Sequence, residues 1–596
     1  MTFLICMALL LLAAIAAVTA VARKKTSLGR ACIAVAGVVV VMLAWLLGNS
    51  AELLQKDTPD VAKQKINVGV VASFPAGDRT ARFALNELQD HLLAENYAIS
   101  DSTSNAAARI EMEIDPEGVK RGAAAESFRI TTGPHGTVKL TGVDSAGLLW
   151  AVRDFQHYYC REWLGAVAGG KKPAAVDFVS CPAIQDRGLW TWLYGCYDPY
   201  AYIDQASCWK YNTIVFWNRG VPMDAARLVA YAHERGVRIW WGFSWGWVAE
   251  DLKDASPALA KRLMALYEKQ KKEISPGLAN LDLLADETPQ ALMDYVLDVF
   301  EHQYAWIPDI DGIYFQSATE AINPRLADKT GALGRAVVKN IKPIMEELHR
   351  RYPRLKISAG IHNTGNAETF EALKELPGYC NIMWENGVPW APTREIANVQ
   401  MALRGKNENF AGVYRITMNC GMIFNGQQVQ GEVDRAWLPR VEALWALIEE
   451  GVEDPPGKNR WPFRCDGKDV GYPCTFDWRP PQGKGMLDNH NMQNLLSWSR
   501  DLAQGPPRNK GIFILVEAAL MDLKMRRVPA LAAEAIWNPM LDAAELERRC
   551  RMIWDKNVGG WQESVNPYWH AAHAAQPAAD APADTKDLGD MYRAAP

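Results

Sequence analysis

The eleven cysteines of this chain include no Cys-x-x-Cys pair, and its histidines and cysteines nowhere fall at zinc-ligand spacing. A structural zinc site and a dense disulfide framework are therefore not indicated. Cys465 and Cys474 are the one close pair after the first 50 residues, able to bridge a loop or to stand as two free thiols. Excess positive charge is missing too: 64 Lys and Arg against 69 Asp and Glu leave a net charge of −5. That excludes nucleic-acid binding driven by a basic surface. A composition that is 49% hydrophobic and 22% charged excludes a disordered or fibrous chain for most of the 596 residues. What the chain has in excess is tryptophan, 23 residues, about three times an ordinary share. Its flat ring serves either packing or the stacking of a ligand.

The amino terminus predicts a membrane anchor. Residues 3–22 and 31–48 are two uncharged apolar runs, each near the length that spans a bilayer as a helix. The connector Arg-Lys-Lys-Thr-Ser-Leu-Gly-Arg carries four positive charges, which place it in the cytoplasm and leave everything after Ser50 on the outside. Residues 1–50 thus read as a transmembrane helical hairpin, with the catalytic body periplasmic or extracellular. A cleaved signal peptide is the rival reading, although the first run lacks a basic leading segment.

Residues 65–181 read as a small α/β domain. The strand Ile66–Ser73 leads to an amphipathic helix, and Ala108–Ile114 leads to a hairpin turning at Pro134-His135-Gly136. A helix over Ser145–Trp163 follows, and the Gly- and Lys-rich stretch 169–173 leads toward the larger body. After Pro182 a repeated strand-then-helix rhythm places strands at 186–193, 213–218, 237–243, 312–316, 356–361, 381–384, 412–416 and 511–516. Eight such units over 182–556 predict a (β/α)8 TIM barrel, so the fold class is α/β. The Pro-, Gly- and Trp-rich piece 455–488 reads as a loop over one mouth, a helix over 542–554 closes the body, and the Ala/Pro-rich tail 570–596 reads as disordered.

In such a barrel the active site lies at the carboxyl ends of the strands. The residues found there are Arg187, Trp190 and Trp192 on the first strand, Trp217 and Asn218 on the second, and Trp241 and Trp245 on the third. Glu320 follows the fourth, His362 and Asn363 end the fifth, Trp384, Glu385 and Asn386 the sixth, and Glu517 the eighth. Tryptophan at successive strand ends suits stacking on the apolar faces of sugar rings, while Arg, Asn and His reach hydroxyls or a carboxylate. The plainer alternative is that these rings fill the barrel wall. Hydrolysis of a glycosidic bond needs a proton donor and a second carboxylate. Glu320, Glu385 and Glu517 are the acids at the predicted strand ends, and the alternative for each is a salt bridge to a neighbouring arginine.

The segment Ile307–Glu320, Ile-Pro-Asp-Ile-Asp-Gly-Ile-Tyr-Phe-Gln-Ser-Ala-Thr-Glu, is similar to the fourth-strand segment of α-glucuronidases. The stretch Pro182–Trp190 and the preceding domain ending in Ser145–Tyr159 resemble the two-domain layout shared by α-glucuronidases and β-hexosaminidases. The resemblance implies that Glu320 is the general acid and that Arg187 holds the hydroxyls of the terminal sugar. It departs from the pattern at Thr319, where hexosaminidases carry Asp, and at Ala321, where glucuronidases carry Gly. The resulting expectation is a membrane-anchored glycoside hydrolase with a carbohydrate substrate, Glu320 as acid and Glu385 as second carboxylate, and no metal, cofactor or nucleic acid. The alternatives are a carbohydrate-binding surface protein without turnover and, on weaker grounds, a metal-dependent hydrolase or lyase.

Overall fold

The computed structural model describes residues 66–100, 105–133, 136–192, 199–217, 221–244, 251–278, 280–316, 332–362, 372–385, 409–415, 464–465, 468–469, 485–488, 490–504, 509–515 and 527–554. The two apolar runs, the tail and Cys474 lie outside these residues. Among the described residues no helix is long and apolar enough to cross a membrane. Of one compact unit the described residues are 66 and 96–98, among which the Ala98 N–H donates to the Ile66 carbonyl at 3.1 Å. The other described residues form the second unit, which holds both the small α/β domain and the barrel.

The small domain begins with β1 (Asn67–Ser73) and α1 (Arg79–Ala94). Asp78 caps α1 by accepting from the Ala81 N–H at 2.9 Å, and Ala81, Ala84, Leu88 and Leu92 form its buried stripe. A short strand β2 (Ala98–Ser100) precedes β3 (Ala108–Ile114), and β4 (Phe128–Gly133) and β5 (Thr137–Gly142) make the expected hairpin. The Gly- and Lys-rich stretch does not lead straight into the barrel. The chain first returns to the sheet as β6 (Asp177–Ser180), antiparallel to β4, which supplies hydrogen-bond partners to an edge that would otherwise stay open. Five of these strands thus lie in the order β1-β3-β5-β4-β6.

The helix expected over 145–163 is interrupted. It runs as α2 (Ser145–Asp154), a π-helical turn over Phe155–Tyr159 and α3 (Cys160–Ala168). A π-turn rotates the face that follows it; Asp154, just before the turn, and Tyr158, within it, both reach one buried cluster.

The barrel closes through eight parallel strands: β7 (Asp186–Trp192), β8 (Thr213–Trp217), β9 (Arg238–Ser244), β10 (Gly312–Gln316), β11 (Lys356–His362), β12 (Asn381–Glu385), β13 (Asn409–Arg415) and β16 (Asn509–Leu515). A two-stranded hairpin, β14 (Arg464–Cys465) with β15 (Lys468–Asp469), lies within the predicted loop. Flanking helices include α4 (Pro199–Cys208), α5 (Ala225–Glu234), α7 (Thr288–Gln303) and α8 (Ala332–Arg351), numbered after α6 (Pro257–Glu273). Helices α9 (His490–Gln504), α10 (Arg527–Trp537) and α11 (Ala543–Trp554) complete the described body.

Alternation along the strands divides two cores. Leu189, Ile214, Phe216, Ile239 and Trp241 face the helices. Trp190, Val215, Trp217, Trp240, Tyr314, Met383 and Phe513 fill the barrel interior. The large interior rings fit because glycines face them across the ladder. Gly188 pairs with Phe513, Gly242 with Trp217 and Tyr314, and Gly312 with Trp240. A Cβ at Gly312 would stand 2.7 Å from Trp240 Cδ1, and one at Gly242 would stand 2.8 Å from Trp217 Cε3 and 3.0 Å from Tyr314 Cδ1.

Beneath the barrel, four fully buried charges join the two domains. Lys210 Nζ lies 2.6 Å from Asp154 and 2.7 Å from Glu534, while Arg549 Nη1 lies 2.6 Å from Asp154 and 3.3 Å from Glu534. Tyr158 donates its hydroxyl to Glu534 at 3.0 Å, and the Arg549 guanidinium lies 4.4 Å from the Tyr158 ring centroid. Two cations and two carboxylates balance, so the cluster is neutral only while it is complete.

Two outcomes follow. Asp154→Asn removes one charge from this set and should destabilise the fold by about 3–5 kcal/mol, the usual effect of breaking a buried ion pair, read by urea unfolding. Gly242→Ala should lower stability by roughly 1–3 kcal/mol through overpacking against Trp217 and Tyr314, whereas Gly77→Ala, with nothing within 4 Å of the added Cβ, should leave the midpoint nearly unmoved.

Candidate active site at the carboxyl ends of the barrel strands

The described floor of the barrel mouth is aromatic. Trp190 and Trp217 stack with ring centroids 6.0 Å apart and an interplanar angle of 27°. The Tyr314 ring meets both edge-on, at 6.2 Å from Trp190 and 5.4 Å from Trp217. Trp217 is 6% exposed and Trp190 fully buried, so Trp217 is the ring of this pair nearer to solvent. These rings come together because Trp190, Trp217 and Tyr314 occupy the inward-facing phase of β7, β8 and β10.

Above this floor, strand register places the ends of the barrel strands. Trp192 pairs with Trp217, Ser244 with Gln316, His362 with Glu385, and Arg415 with Leu515. Glu385 is the last residue of β12, two beyond Met383, whose side chain fills the interior. Residues at i and i+2 of a strand share a face, so Glu385 occupies the inward phase at the carboxyl end. Trp384 occupies the alternate phase, shared with Ile382 of the helix-side core, so the expected sugar contact of Trp384 is corrected. Trp192, His362, Trp384 and Glu385 are placed by this register alone. Glu320, Glu517, Asn218, Trp245, Asn363 and Asn386 lie outside the described residues. In the sequence Glu320 follows the last residue of β10 by four positions, and Glu517 follows that of β16 by two.

Two further expected contacts are corrected. Arg187 is the second residue of β7, at the amino end of the barrel, about 16 Å of strand rise below Trp192. It forms an ion pair with Glu126 and donates from Nη1 to the Ile184 carbonyl at 2.8 Å and from Nε to the Lys210 carbonyl at 3.1 Å. Its guanidinium lies 4.4 Å from the Trp537 ring centroid. All of its reach is spent on joining the small domain to the barrel, so it does not meet a ligand at the mouth. Burial alone would push the Glu126 carboxyl up, but the Arg187 and Arg238 guanidiniums outweigh it and leave Glu126 below its ordinary value. Trp241 faces outward, 1% exposed, with its ring 5.7 Å from Phe216 and 6.4 Å from Tyr304. It is part of the wall between barrel and helices. Trp190 belongs to the mouth only as buried support for Trp217.

The amino end of the barrel is sealed by charge. Asp186 is held by Lys356 and lies 3.1 Å from Arg238, and Lys356 Nζ stands 5.1 Å from the Trp240 ring centroid. Burial would raise the Asp186 carboxyl, yet these two cations keep it below the usual range.

Cys208 and His157 approach to 3.5 Å, a spacing that invites comparison with a nucleophile and its base. Burial pushes the thiol up to about 11 and the imidazole well below its ordinary value, and His157 stacks on Trp209 at 4.6 Å. An unreactive thiol against a neutral ring is a packing contact. Among the described residues no group of three or more His, Cys, Asp or Glu is arranged to hold a metal ion.

The sequence reading missed Tyr314, because an aromatic in mid-strand looks like wall, and Arg415, because the seventh strand was centred two residues late. Strict alternation from Met383 through the pairing of β12 with β13 is the signal that recovers Arg415.

No family model matches the chain, and no curated protein does. Among solved structures it is similar to a GH138 enzyme targeting pectin rhamnogalacturonan II, with a TM-score of 0.43, 12% identity and coverage of 80% of this chain and 65% of that one. The chain therefore spans less than two thirds of that enzyme. It is also similar to a glycoside hydrolase family 20 β-N-acetylglucosaminidase, at a TM-score of 0.43 and 14% identity over 79% of this chain and 92% of that one. A third is a GH115 4-O-methyl-α-glucuronidase with specificity for decorated arabinogalactans, at 0.42 and 12% over 81% and 59%. These three solved structures are glycoside hydrolases, the second a β-N-acetylglucosaminidase and the third an α-glucuronidase.

Proposed function

We propose that this chain is a glycoside hydrolase that cleaves O-glycosidic bonds of a poly- or oligosaccharide or glycoconjugate containing uronic acid or hexosamine. The observation that carries the reading is Glu385 at the inward phase of a strand's carboxyl end, above a floor made by Trp217 and Tyr314. An aromatic floor takes the apolar face of a pyranose ring. A carboxylate above it serves the carbon that becomes electron-poor as the glycosidic bond breaks.

In the mechanism proposed, Glu320 protonates the leaving oxygen and Glu385 acts as the second carboxylate, with Glu517 as the third acid of the same mouth. A carboxyl that stays protonated near neutral pH needs an apolar surrounding, which the aromatic strand ends supply. If the two groups stand about 5–5.5 Å apart the product retains its anomeric configuration, and at about 6.5–9.5 Å it inverts. His362, Asn363, Asn386, Asn218, Trp192 and Trp245 are proposed to surround the sugar. The two apolar runs at the amino terminus support a body held at the membrane on its extracytoplasmic side.

The full-length chain, Glu320→Gln and Glu385→Gln should be compared on a panel of aryl glycosides, aryl uronides and aryl N-acetylhexosaminides. The wild type should turn over one class, and each substitution should lower kcat by roughly 10²–10⁴-fold with an unchanged unfolding midpoint. Oligosaccharide binding without turnover of any class would replace the hydrolase with a carbohydrate-binding protein.

A further inference from the structure

The topology brings one acid and two basic residues to the ends of three consecutive barrel strands. His362 ends β11, Glu385 ends β12 and Arg415 ends β13. His362 is the direct register partner of Glu385. Glu385 is the partner of Val413, and Arg415 stands two residues further along the same strand, hence on the same phase. Neighbouring strands lie about 4.8 Å apart, and same-phase residues at matched register are neighbours. This strand pair already shows the consequence two repeats lower. Asn381 and Ser358 are register partners on the same phase, and Asn381 Nδ2 donates to Ser358 Oγ at 3.1 Å.

The geometry points to Arg415 and His362 as positioning residues that hold the Glu385 carboxylate ionised, which deepens the hydrolase reading by making Glu385 the nucleophile or base and not the proton donor. A cation within a few ångströms favours the charged form of a carboxylate. Along the described flanking strands the other ionisable groups do not compete. Lys356 of β11 is engaged with Asp186 at the opposite end of the barrel, β12 carries no second ionisable residue, and β10 carries only Tyr314, packed among the interior rings. Lys510, on β16, also lies at the amino end and donates to the Ala503 carbonyl. Lys374 and Glu375 precede β12 on the amino side of its first residue.

The test reads the ionisation of Glu385 directly. The full-length wild type, Arg415→Met, Arg415→Lys, His362→Gln and Glu385→Gln are treated with a water-soluble carbodiimide and glycine ethyl ester across acidic to neutral pH. Labelling of the peptide containing Glu385 is followed by mass spectrometry, with Glu385→Gln as the blank. Carbodiimide activates the protonated carboxyl, so the pH at which labelling fades reports its ionisation. Arg415→Met and His362→Gln should each move that midpoint upward, by roughly 1–3 pH units for the arginine, and Arg415→Lys should stay near the wild type. Midpoints that coincide in wild type, Arg415→Met and His362→Gln would overturn the inference. Labelling requires no turnover, so a wild type that turns over no glycoside class would sink the hydrolase reading, and a Glu385→Gln variant that hydrolyses normally would remove Glu385 from the chemistry, while the labelling midpoints stay separately legible. Either single substitution that unfolds is replaced by the other, since both predict the same direction.

Discussion

The four buried charges Asp154, Lys210, Glu534 and Arg549 are the constraint on which the rest of the molecule depends. They come from the helix α2 of the small domain, the turn before the second barrel strand, and the last two helices of the barrel. Each is at most 1% exposed, so each would be strongly unfavourable alone. Together they neutralise one another, and Tyr158 supplies a further hydrogen bond to Glu534. The arrangement closes only when the first and last parts of the barrel and the small domain meet. Lys210 accepts a left-handed backbone, φ 63°, to take part, a conformation that a lysine adopts only when its surroundings demand it. Arg187 and Glu126 extend the same seam, and Trp537 lies under both Arg187 and Lys210.

The amino end of the barrel is sealed by this seam and by Asp186, Lys356 and Arg238, and the proposed function rests on the opposite, carboxyl end of the barrel. Its interior is uneven around the ring. On β7, β9 and β10 the inward positions alternate glycine with large rings and β8 adds Val215 and Trp217, whereas β11 and β12 offer Ser358, Gly360, Asn381 and Met383. An aromatic wall therefore faces a sector of smaller and more polar residues. Glu385 and His362 end the strands of that smaller sector, with Arg415 beside them on the next strand. A ring stacked on the aromatic side would present its edge to these groups, which is the division of labour that a carbohydrate requires.

The eight barrel strands were legible from the sequence because each is a short apolar run between helical patterns, and the structure places a strand at each of them. The phase of those strands was not legible. A strand buried on both faces reads as a continuous apolar run, so β8, Thr-Ile-Val-Phe-Trp, contains no mark of which side chains face inward. Trp217 and Trp241 look alike in the sequence, yet one lines the interior and the other the helix side. Arg187 was misplaced for a related reason. A charged residue near a strand looks like a ligand contact until Glu126, 61 residues earlier, is seen to claim it.

The sequence by itself determined the order of elements, the barrel, the abundance of tryptophan at strand ends and the carboxylates that follow them. These are properties of local pattern, carried by the period of apolar residues and by turn chemistry. Tertiary structure alone decided which tryptophans reach the mouth, that Arg187 belongs to a domain seam, and that Glu385 shares the strand ends with His362 and Arg415. Those facts depend on strand register and on closure of the ring, which join residues far apart in the chain, and no local pattern encodes such a meeting.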